Sequence, residues 1–340
     1  MLSGRSANFG RECGMQTTAG TKEELRLGKD ALGMLEKWSI QGVHVEQAGR
    51  ERLHWSATGD DRPSAVLSCT KSVLSALIGI AIGQGLIGGA DDPICAYLDE
   101  SDPRLADALR DDPRKRGITI AQLLTMTSGL DWPDFDKPYR ELKRSDAPAA
   151  FVLGRPLAHE PGAVFAYNTG GSQLLAIALE RASGMSAAKF ARKHLFGPLG
   201  IGPVRWSRLA GGQEGGAGLS ISMRDLAKLG RLYVQGGRWE RTQVVPAEWV
   251  EASAKPRHKA LLHYEPQVYG CYGYHWWVSP QDKQPGPDYF FAFGYGGQYL
   301  FVVPQLEAVA VVRKSLEGRN EAIRSRRLFE TQLLPALRQG

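Results

Sequence analysis

The sequence predicts an α+β fold, in which one antiparallel sheet is built from N- and C-terminal strands and flanked by terminal helices. A large helical domain is expected as an insertion between those strands. Segments rich in β-branched and aromatic residues lie toward both ends of the chain. The middle, from Ser68 to about Gly237, is dominated by helical patterns. Because strands need partners, the terminal strands are expected to share one sheet.

The length predicts how the chain divides. A chain of 340 residues can bury a large core and fold as two intertwined or sequential domains. We predict a flexible leader over residues 1–20, a sheet domain formed by residues 21–66 and 240–340, and a mainly helical domain over residues 67–239. The active site is expected at the interface of the two domains.

The first predicted elements are a helix and a hairpin. Thr21-Lys22-Glu23-Glu24 is a capping box, which predicts an amphipathic helix running to about Trp38. The segment Val43–Trp55 alternates between apolar and polar side chains around Ala48-Gly49, a pattern typical of a β-hairpin.

Helices follow in the middle of the chain. The apolar, small-residue stretch from Ser72 to Ile87 predicts a buried helix. Thr119-Ile120-Ala121-Gln122 and Ser222-Met223-Arg224-Asp225 each cap a further helix. The string Gly83-Gln84-Gly85-Leu86-Ile87-Gly88 fits a dinucleotide fingerprint, but the run before it is helical and Asp91-Asp92-Pro93 blocks a helix after it. The glycines therefore predict the end of a helix and not a nucleotide site.

The C-terminal third is rich in strand-forming residues. Aromatic and β-branched segments with proline-containing breaks predict four strands, at Cys271–Val278, Tyr289–Phe293, Gln298–Val303 and Ala308–Val312. A final helix is predicted from about Asn320 to Leu337. Because neighbouring side chains on a strand point to opposite faces, at most one of Trp276 and Trp277 should face a cleft.

Composition and charge are those of an ordinary globular protein. The net charge is +6, but basic residues are interspersed with acids except at Arg114-Lys115-Arg116 and Arg324–Arg327. Both clusters are interpreted as solvated, so no nucleic-acid partner is predicted. Four isolated cysteines, without a Cys-x-x-Cys pair or a histidine at metal spacing, indicate a reducing compartment. No metal and no cofactor is expected.

No membrane segment is predicted. Residues 1–20 contain arginines but no apolar run, so a secretory signal is not expected. The stretch Ser72–Ala90 approaches transmembrane length, but Ser75, Gln84 and its glycines favour a buried helix of a globular core. We therefore predict a cytoplasmic protein.

The most informative feature is Ser68-Cys69-Thr70-Lys71, at the start of the predicted buried helix. A hydroxyl and an amine three residues apart lie on one face of a helix. Serine becomes nucleophilic when a base takes its proton, and a lysine can serve if burial lowers its pKa. A serine cap followed by a surface lysine is the alternative, but the nearly charge-free stretch that follows disfavours it. Cys69 is interpreted as a small core residue.

Two loops supply further candidates. Tyr167 is presented just before a predicted helix, Ser172–Ala182, and a tyrosine beside a lysine can lose its proton and act as general base. The alternative is a packed aromatic residue. The glycines of Phe293-Gly294-Tyr295-Gly296-Gly297-Gln298 would let the backbone approach a ligand at the start of a strand.

Together these segments resemble the serine β-lactamase and penicillin-binding-protein superfamily. The resemblance is strongest to its class C-like esterases and nylon-oligomer (6-aminohexanoate-dimer) hydrolases, and it extends from about Val43 to Val312. It includes further motifs in the same order along the chain, namely Leu123-Leu124-Thr125-Met126-Thr127-Ser128-Gly129-Leu130, Pro198-Leu199-Gly200-Ile201, Gly218-Leu219-Ser220 and Arg224-Asp225-Leu226.

The resemblance implies a role for each matching residue. Ser68 would be the acylated nucleophile, Lys71 the amine that helps to deprotonate it, and Tyr167 the base and then the acid toward the leaving group. The backbone N–H groups of Ser68 and Gln298 would form the oxyanion hole. The other candidates for substrate binding are Tyr295, Gly296, Gly297, Thr169, Asn168 and Trp132.

Departures from the family pattern predict the substrate class. Tyr295-Gly296-Gly297 stands where β-lactamases usually carry Lys-Thr-Gly, so the cation and the hydroxyl that hold a substrate carboxylate are missing. The second motif, commonly Tyr-x-Asn, has Asn168 at the middle place and Thr169 at the third. We therefore predict hydrolysis of a small-molecule ester or simple amide, with weak or no β-lactamase activity.

Two alternatives stay open at this point. One is an acyltransferase that uses the same acyl-enzyme, and the other is a catalytically silent scaffold, which the retention of all three catalytic candidates disfavours. The loop Asp131–Arg144, with Trp132, Phe135 and Tyr139, is predicted either as a lid or aromatic wall over the site or as a connection with buried anchors.

Overall fold

The computed structural model describes residue 25 and residues 29–133, 137–260, 270–279, 288–316 and 322–339. In this part of the chain the main antiparallel sheet comprises β1 (Ile40–Gln47), β2 (Arg50–Ser56), β3 (His258–Ala260), β4 (Gly270–Tyr272), β5 (Trp277–Val278), β6 (Phe290–Gly294), β7 (Gln298–Val303) and β8 (Ala308–Lys314). The order across the sheet is β3-β4-β5-β6-β7-β8-β1-β2. N- and C-terminal strands share this sheet because β1 pairs with β8, and the predicted α+β architecture is confirmed.

Helices cover the sheet and form the inserted region. They are α1 (Lys29–Lys37), α2 (Thr70–Gly83), α3 (Pro103–Ala108), α4 (Ile120–Leu124), α5 (Lys137–Leu142), α6 (Pro148–Leu153), α7 (Thr169–Ser183), α8 (Ala187–Ala191), α9 (Met223–Val234), α10 (Ala247–Ala254), α11 (Ala322–Leu328) and α12 (Leu334–Gln339). A second, small sheet joins short strands at Ser64–Ala65, Leu219–Ile221 and Arg205–Trp206.

Both faces of the main sheet are buried, so its central strands are apolar throughout and not alternating. On β7, Leu300 and Val302 belong to the core that contains α2 and α9. Tyr299 and Phe301 belong to the core on the opposite face, where α1, α11 and α12 pack. The sheet is therefore the middle layer of the protein.

Helix α2 is the central helix of the inserted region and is buried along nearly its whole length. Its small side chains allow close approach of neighbours. A Cβ atom at Gly79 would lie only 2.3 Å from Cδ1 of Trp249, and the Trp249 indole donates to the carbonyl of Ser75 at 2.9 Å. These contacts with Trp249 fix the middle of α2, and the first turn of the same helix carries Lys71. The helix ends at Gly83, as predicted.

The predicted hairpin of β1 and β2 is confirmed, and it contains a β-bulge. Next to the turn, Glu46 is opposite Glu51, whereas farther along His44 is opposite His54. Arg52 is therefore an additional residue on β2 that has no counterpart on β1. A shift of one residue exchanges the faces to which side chains point, so the bulge decides which side chains of β2 share a face with those of β1.

The predicted single strand at Cys271–Val278 is wrong. Strand β4 ends at Tyr272 and β5 begins at Trp277, because the chain turns sharply at His275, whose φ is +59°. The expectation that the two tryptophans diverge is confirmed: Trp276 lies in the core with α2, and Trp277 lies in the core on the other face.

The predicted caps are present where the structure describes them. Thr119 and Gln122 form a complete capping box at α4, and the Ser222 side chain accepts a hydrogen bond at the start of α9. The proposed box at Thr21 lies outside the described residues, as does the predicted start of the last helix at Asn320. That last helix is α11 and α12, joined by a wider helical turn at Phe329–Leu333.

Two observations bear on partners. Among the helices of the described ranges, none has the length and apolar character that crossing a membrane requires.

At the first basic cluster, Arg114 pairs with Asp112 and Arg116 pairs with Glu100, while Lys115 is buried. These ion pairs balance the positive charge of the cluster locally.

Candidate active site

Ser68 lies in a 3₁₀ turn, Leu67–Cys69, that leads directly into α2. The residue before it, Leu67, has a φ of +48°, a left-handed conformation that costs free energy in a residue with a Cβ atom. Thr70 holds this conformation because its Oγ1 donates to the Leu67 carbonyl at 2.6 Å. The strained turn presents Ser68, which is half-buried and not fully enclosed.

Lys71 points at Ser68 from one helical turn away. Its Nζ lies 3.1 Å from Ser68 Oγ, and its side chain is only 1% exposed. Nζ also donates to the carbonyl of Gly216 at 2.8 Å and to Thr169 Oγ1 at 3.3 Å. These contacts orient the amine toward the serine hydroxyl, the geometry that proton transfer requires.

Tyr167 joins the pair from a distant segment of the chain, just before α7. Its ring centroid lies 4.9 Å from Lys71 Nζ. The ring stacks on Trp277 at a centroid distance of 5.8 Å and an interplanar angle of 18°. The structure thus brings together the three side chains to which the sequence assigned chemistry.

The two residues after Tyr167 serve the start of α7. Asn168 is its N-cap, and its Oδ1 accepts from the backbone N–H of Gly171 at 2.9 Å. Its Nδ2 is buried and makes no hydrogen bond within the described residues. The Thr169 hydroxyl accepts the hydrogen bond from Lys71 Nζ. Thr169 therefore contacts the amine, whereas the Asn168 carbonyl is occupied by the helix.

The turn at Tyr295-Gly296-Gly297 joins β6 to β7 beside the Ser68 segment. Gly296 and Gly297 have φ of +78° and +102°, conformations that favour glycine. A Cβ at Gly294 would lie 2.2 Å from the Val66 carbonyl, so the strand and the segment before Ser68 are in direct backbone contact. Tyr295 is half-buried in this turn.

Gln298 begins β7 next to this contact. The Sγ of Cys69, the neighbour of Ser68, donates to the Gln298 carbonyl at 3.5 Å. The Gln298 side chain is occupied elsewhere, because its Nε2 donates to the Lys314 carbonyl at 2.8 Å. Cys69 itself is fully buried, and burial raises the pKa of its thiol far above the ordinary range. The interpretation of Cys69 as a core residue is confirmed.

The segment after Leu130 packs against the same helix start. Trp132 is buried, and its ring occupies the space beside Gly170, where a Cβ would lie 2.7 Å from the indole. Phe135 lies outside the described residues. Tyr139, on α5, donates to the carboxylate of Glu214. A lid role for this segment stays a prediction.

Glu214 is a buried carboxylate that the sequence did not single out. Although burial raises its pKa, hydrogen bonds from Ser207 and Tyr139 outweigh that effect and hold the pKa below the usual range. Lys143 adds an ion pair at 3.4 Å. Glu214 thus ties α5 to the loop that also carries Gly216, whose carbonyl contacts Lys71.

Comparison with known proteins identifies the family. The sequence model of the family described as Beta-lactamase matches residues 36–332. The chain belongs to the β-lactamase family. A 6-aminohexanoate-dimer hydrolase of Paenarthrobacter ureafaciens is 25% identical to this β-lactamase-family protein over 276 residues, which are 74% of the chain and 66% of that relative's length.

Solved structures share the fold at lower sequence identity. A Bacillus anthracis structure has a TM-score of 0.72 at 19% identity, with 91% of this chain and 81% of that chain covered. The octameric penicillin-binding protein homologue of Pyrococcus abyssi has a TM-score of 0.66 at 19% identity, covering 88% and 75%. EstCE1, a hydrolase with promiscuous acyltransferase activity, has a TM-score of 0.67 at 16% identity, covering 88% and 98%.

The β-lactamase-family protein also contains a buried histidine behind its candidate nucleophile. The carbonyl of His275 accepts from Ser72 Oγ at 2.7 Å, and its Nε2 lies 3.1 Å from Ser172 Oγ. These serines belong to α2 and α7, so His275 links the helices that begin beside Ser68 and Tyr167. The structure places His275 in a turn, fully buried.

His275 is expected to make the protein sensitive to acid. Burial and the nearby charge of Lys71 lower the pKa of His275 to about 3, whereas an unfolded histidine has a pKa of about 6.5. Below pH 6.5 the unfolded chain therefore binds a proton that the folded chain excludes. From this group alone, the free energy of unfolding should fall by up to about 1.4 kcal/mol per pH unit between pH 6.5 and 3, with no effect above pH 6.5.

Urea unfolding of the wild type and of His275→Gln at several pH values tests this prediction. The substitution should flatten the acid slope, because glutamine keeps hydrogen-bonding capacity but does not titrate. His159→Gln, at an exposed position, should leave the slope unchanged. Equal slopes for the wild type and His275→Gln would contradict the prediction.

Proposed function

We propose that this β-lactamase-family protein is a serine hydrolase that cleaves esters or simple amides through an acyl-enzyme on Ser68. The observation that carries the proposal is the 3.1 Å approach of the buried Lys71 Nζ to Ser68 Oγ. Burial eases the loss of a proton from a lysine ammonium, so Lys71 can release its proton before acylation and then accept that of Ser68. An amine that only satisfied a structural role would not need to face a strained serine turn.

In the acylation step, Ser68 Oγ forms a bond to the substrate carbonyl carbon and its proton passes to Lys71. The bond to the leaving group then breaks, and Tyr167 delivers a proton to the departing oxygen or nitrogen. Water attacks the acyl-enzyme in the second step, and the free acid leaves with the serine restored. The 4.9 Å between Lys71 Nζ and the Tyr167 ring centroid supports this role, because proton exchange between the two residues requires that they lie side by side.

The backbone N–H groups of Ser68 and Gln298 are proposed to stabilise the oxyanion. The contact between Cys69 Sγ and the Gln298 carbonyl brings the start of β7 to the serine turn, as this role requires. Because the Gln298 side chain is bonded to β8, its contribution comes from the main chain. Loss of one oxyanion donor costs about 3 kcal/mol of transition-state stabilisation in other enzymes.

The third motif supports esters and simple amides over β-lactams. The turn at Tyr295-Gly296-Gly297 offers no cation where Lys-Thr-Gly has its lysine and no side-chain hydroxyl where it has its threonine. Relatives are consistent with this substrate class: one is a 6-aminohexanoate-dimer hydrolase, and a structural neighbour is a hydrolase. The acyltransferase reaction of EstCE1 keeps acyl transfer as the second candidate, since an alcohol or amine can replace water.

A fluorophosphonate probe followed by peptide mapping tests the nucleophile. The adduct is expected on the peptide that contains Ser68. A substrate screen on the same preparation should show turnover of p-nitrophenyl esters and slow or absent cleavage of nitrocefin. Addition of a primary alcohol separates hydrolysis from acyl transfer by the ratio of acid to new ester.

Three outcomes would contradict parts of the proposal. Labelling at another residue, or none, would favour a silent scaffold of the same fold. Rapid nitrocefin cleavage would show that the third motif does not exclude β-lactams. Predominant formation of the new ester at low alcohol concentration would establish the acyltransferase.

A further inference from the structure

Outside the candidate active site, two histidines and a carboxylate meet on the sheet face that α9 covers. His44 and His54 face each other across β1 and β2, with 3.1 Å between their Nδ1 atoms. Glu51 Oε2 lies 3.8 Å from His44 Nδ1. The candidate ligand atoms of all three residues lie within 4.8 Å of one another.

The protonation of His44 suits a metal ligand. Its Nε2 lies 3.1 Å from Glu46 Oε1, and an ionised carboxylate accepts but cannot donate, so the hydrogen of the neutral ring is on Nε2. Nδ1 therefore presents a lone pair toward His54. A carboxylate on the far nitrogen is the usual outer partner of a metal-bound histidine, because it orients the ring and raises its basicity.

The distance between the two imidazole nitrogens also fits a shared metal ion. Two bonds of about 2.0–2.1 Å from nitrogen to Zn²⁺, at angles between 90° and the tetrahedral value, separate the nitrogens by roughly 2.8–3.4 Å. The observed 3.1 Å between His44 and His54 lies within that range. The Glu51 oxygen at 3.8 Å from His44 Nδ1 must come closer, and a side-chain rotation at this 45% exposed residue would bring it there at the expense of its two hydrogen bonds from Arg224.

The charges around the cluster are balanced. Three carboxylates, those of Glu46, Glu51 and Asp61, face the guanidinium groups of Arg224, Arg231 and Arg313. With neutral imidazoles the formal charges sum to zero, so the site carries no net positive charge that would repel a cation. Oε2 of Glu46 is buried and accepts no hydrogen bond from the described residues.

The β-bulge creates this arrangement. Next to the turn, Glu46 pairs with Glu51. If this register continued along the hairpin, His44 would lie opposite Leu53, and His54 would lie opposite Val43. The additional residue, Arg52, moves His54 directly opposite His44 and onto the same face. Bulges re-aim side chains in this way at the edges of sheets, and β2 is the edge strand here.

We propose that His44, His54 and Glu51 form a binding site for a divalent transition-metal ion, with water completing the coordination. Two imidazole nitrogens and one carboxylate select Zn²⁺, Cu²⁺ or Ni²⁺ over Mg²⁺ and Ca²⁺, which prefer all-oxygen ligands. Bound there, the ion fastens the edge strand β2 to β1 and stabilises the folded state as its concentration rises.

Zn²⁺ titration of the chelator-treated full chain by calorimetry tests the site. One ion per chain is expected, with a rise of Tm in thermal unfolding. His54→Gln and Glu51→Gln should each weaken binding by about ten-fold or more, and Co²⁺ should give a visible absorption spectrum that His54→Gln abolishes. His194→Gln, a histidine elsewhere on the surface, is the control and should bind as the wild type does.

Absence of saturable Zn²⁺ binding to the wild type would overturn the proposal. Retention of full affinity in His54→Gln would do so as well, because it would assign the ion to another group. Circular dichroism of each variant confirms that it folds. Ester turnover by His54→Gln should equal that of the wild type, so this test and the test of the hydrolase are independent.

Discussion

Lys71→Met should lower kcat/KM for an activated ester by about 10³-fold or more, nearly as far as Ser68→Ala. Methionine fills a similar buried volume but cannot accept the proton of the serine 3.1 Å away. Because the two residues act as a unit, their effects should not add. The double variant is expected to be no slower than the slower single variant. Initial rates with p-nitrophenyl acetate provide the measurement.

Lys228→Met is the matched control for this experiment. Lys228 is a partly buried lysine on α9. Its Nζ donates to the Gly200 carbonyl at 2.6 Å and to Asp225 Oδ1 at 2.8 Å. Its substitution removes the same charge without touching Ser68, so turnover should stay near the wild-type value. A Lys71→Met variant within ten-fold of the wild type, correctly folded, would remove Lys71 from the chemistry.

Tyr167→Phe is expected to lower kcat by about 10²- to 10⁴-fold, the range observed for loss of a general acid–base group. The phenyl ring can keep the stacking on Trp277, so the fold and Tm should change little. The loss should grow with the basicity of the leaving group, because a poor leaving group depends most on the proton that Tyr167 delivers. Comparing p-nitrophenyl and methyl esters of one acid measures this trend.

Tyr274→Phe removes a hydroxyl from another tyrosine that packs on a tryptophan, in this case Trp249. This variant should retain wild-type rates with both esters. An equal loss for both leaving groups in Tyr167→Phe would indicate that the tyrosine orients Lys71 and does not transfer the proton itself.

Local patterns predicted much of the fold and the centre of the site. The hairpin of β1 and β2 followed from alternation around a turn, and the end of α2 followed from its glycines. The spacing of Ser68 and Lys71 on a helix start was enough to predict their contact, because one helical turn fixes both positions. Tyr167 required the family resemblance, since nothing local links it to α2.

Contacts made by the main chain were not predictable in the same way. The carbonyl of Gly216 and the turn at His275 belong to segments whose place depends on the folded core and not on their own residues. For the Gly216 carbonyl, the available signal was the glycine-rich segment Gly215-Gly216-Ala217-Gly218. For the second, strand-forming aromatic residues on both sides concealed the turn.

The histidine cluster was hidden for a related reason. Without the bulge, counting back from the turn places His44 and His54 out of register, and no motif of metal ligands is close in sequence. A single additional residue changes that outcome, yet the sequence Arg50–Leu53 carries no local sign of it. Register at irregular hairpins is thus a point where pattern analysis needs coordinates.

The oxygen of Gly216 that receives the Lys71 ammonium would be supplied by any amino acid at that place. Alanine scanning would therefore detect the position only as a steric defect, because a Cβ there would lie 2.3 Å from Cγ2 of Thr169. Libraries that aim to retune the basicity of the amine must accordingly vary the length and path of this loop, and residue-by-residue saturation will miss the acceptor altogether.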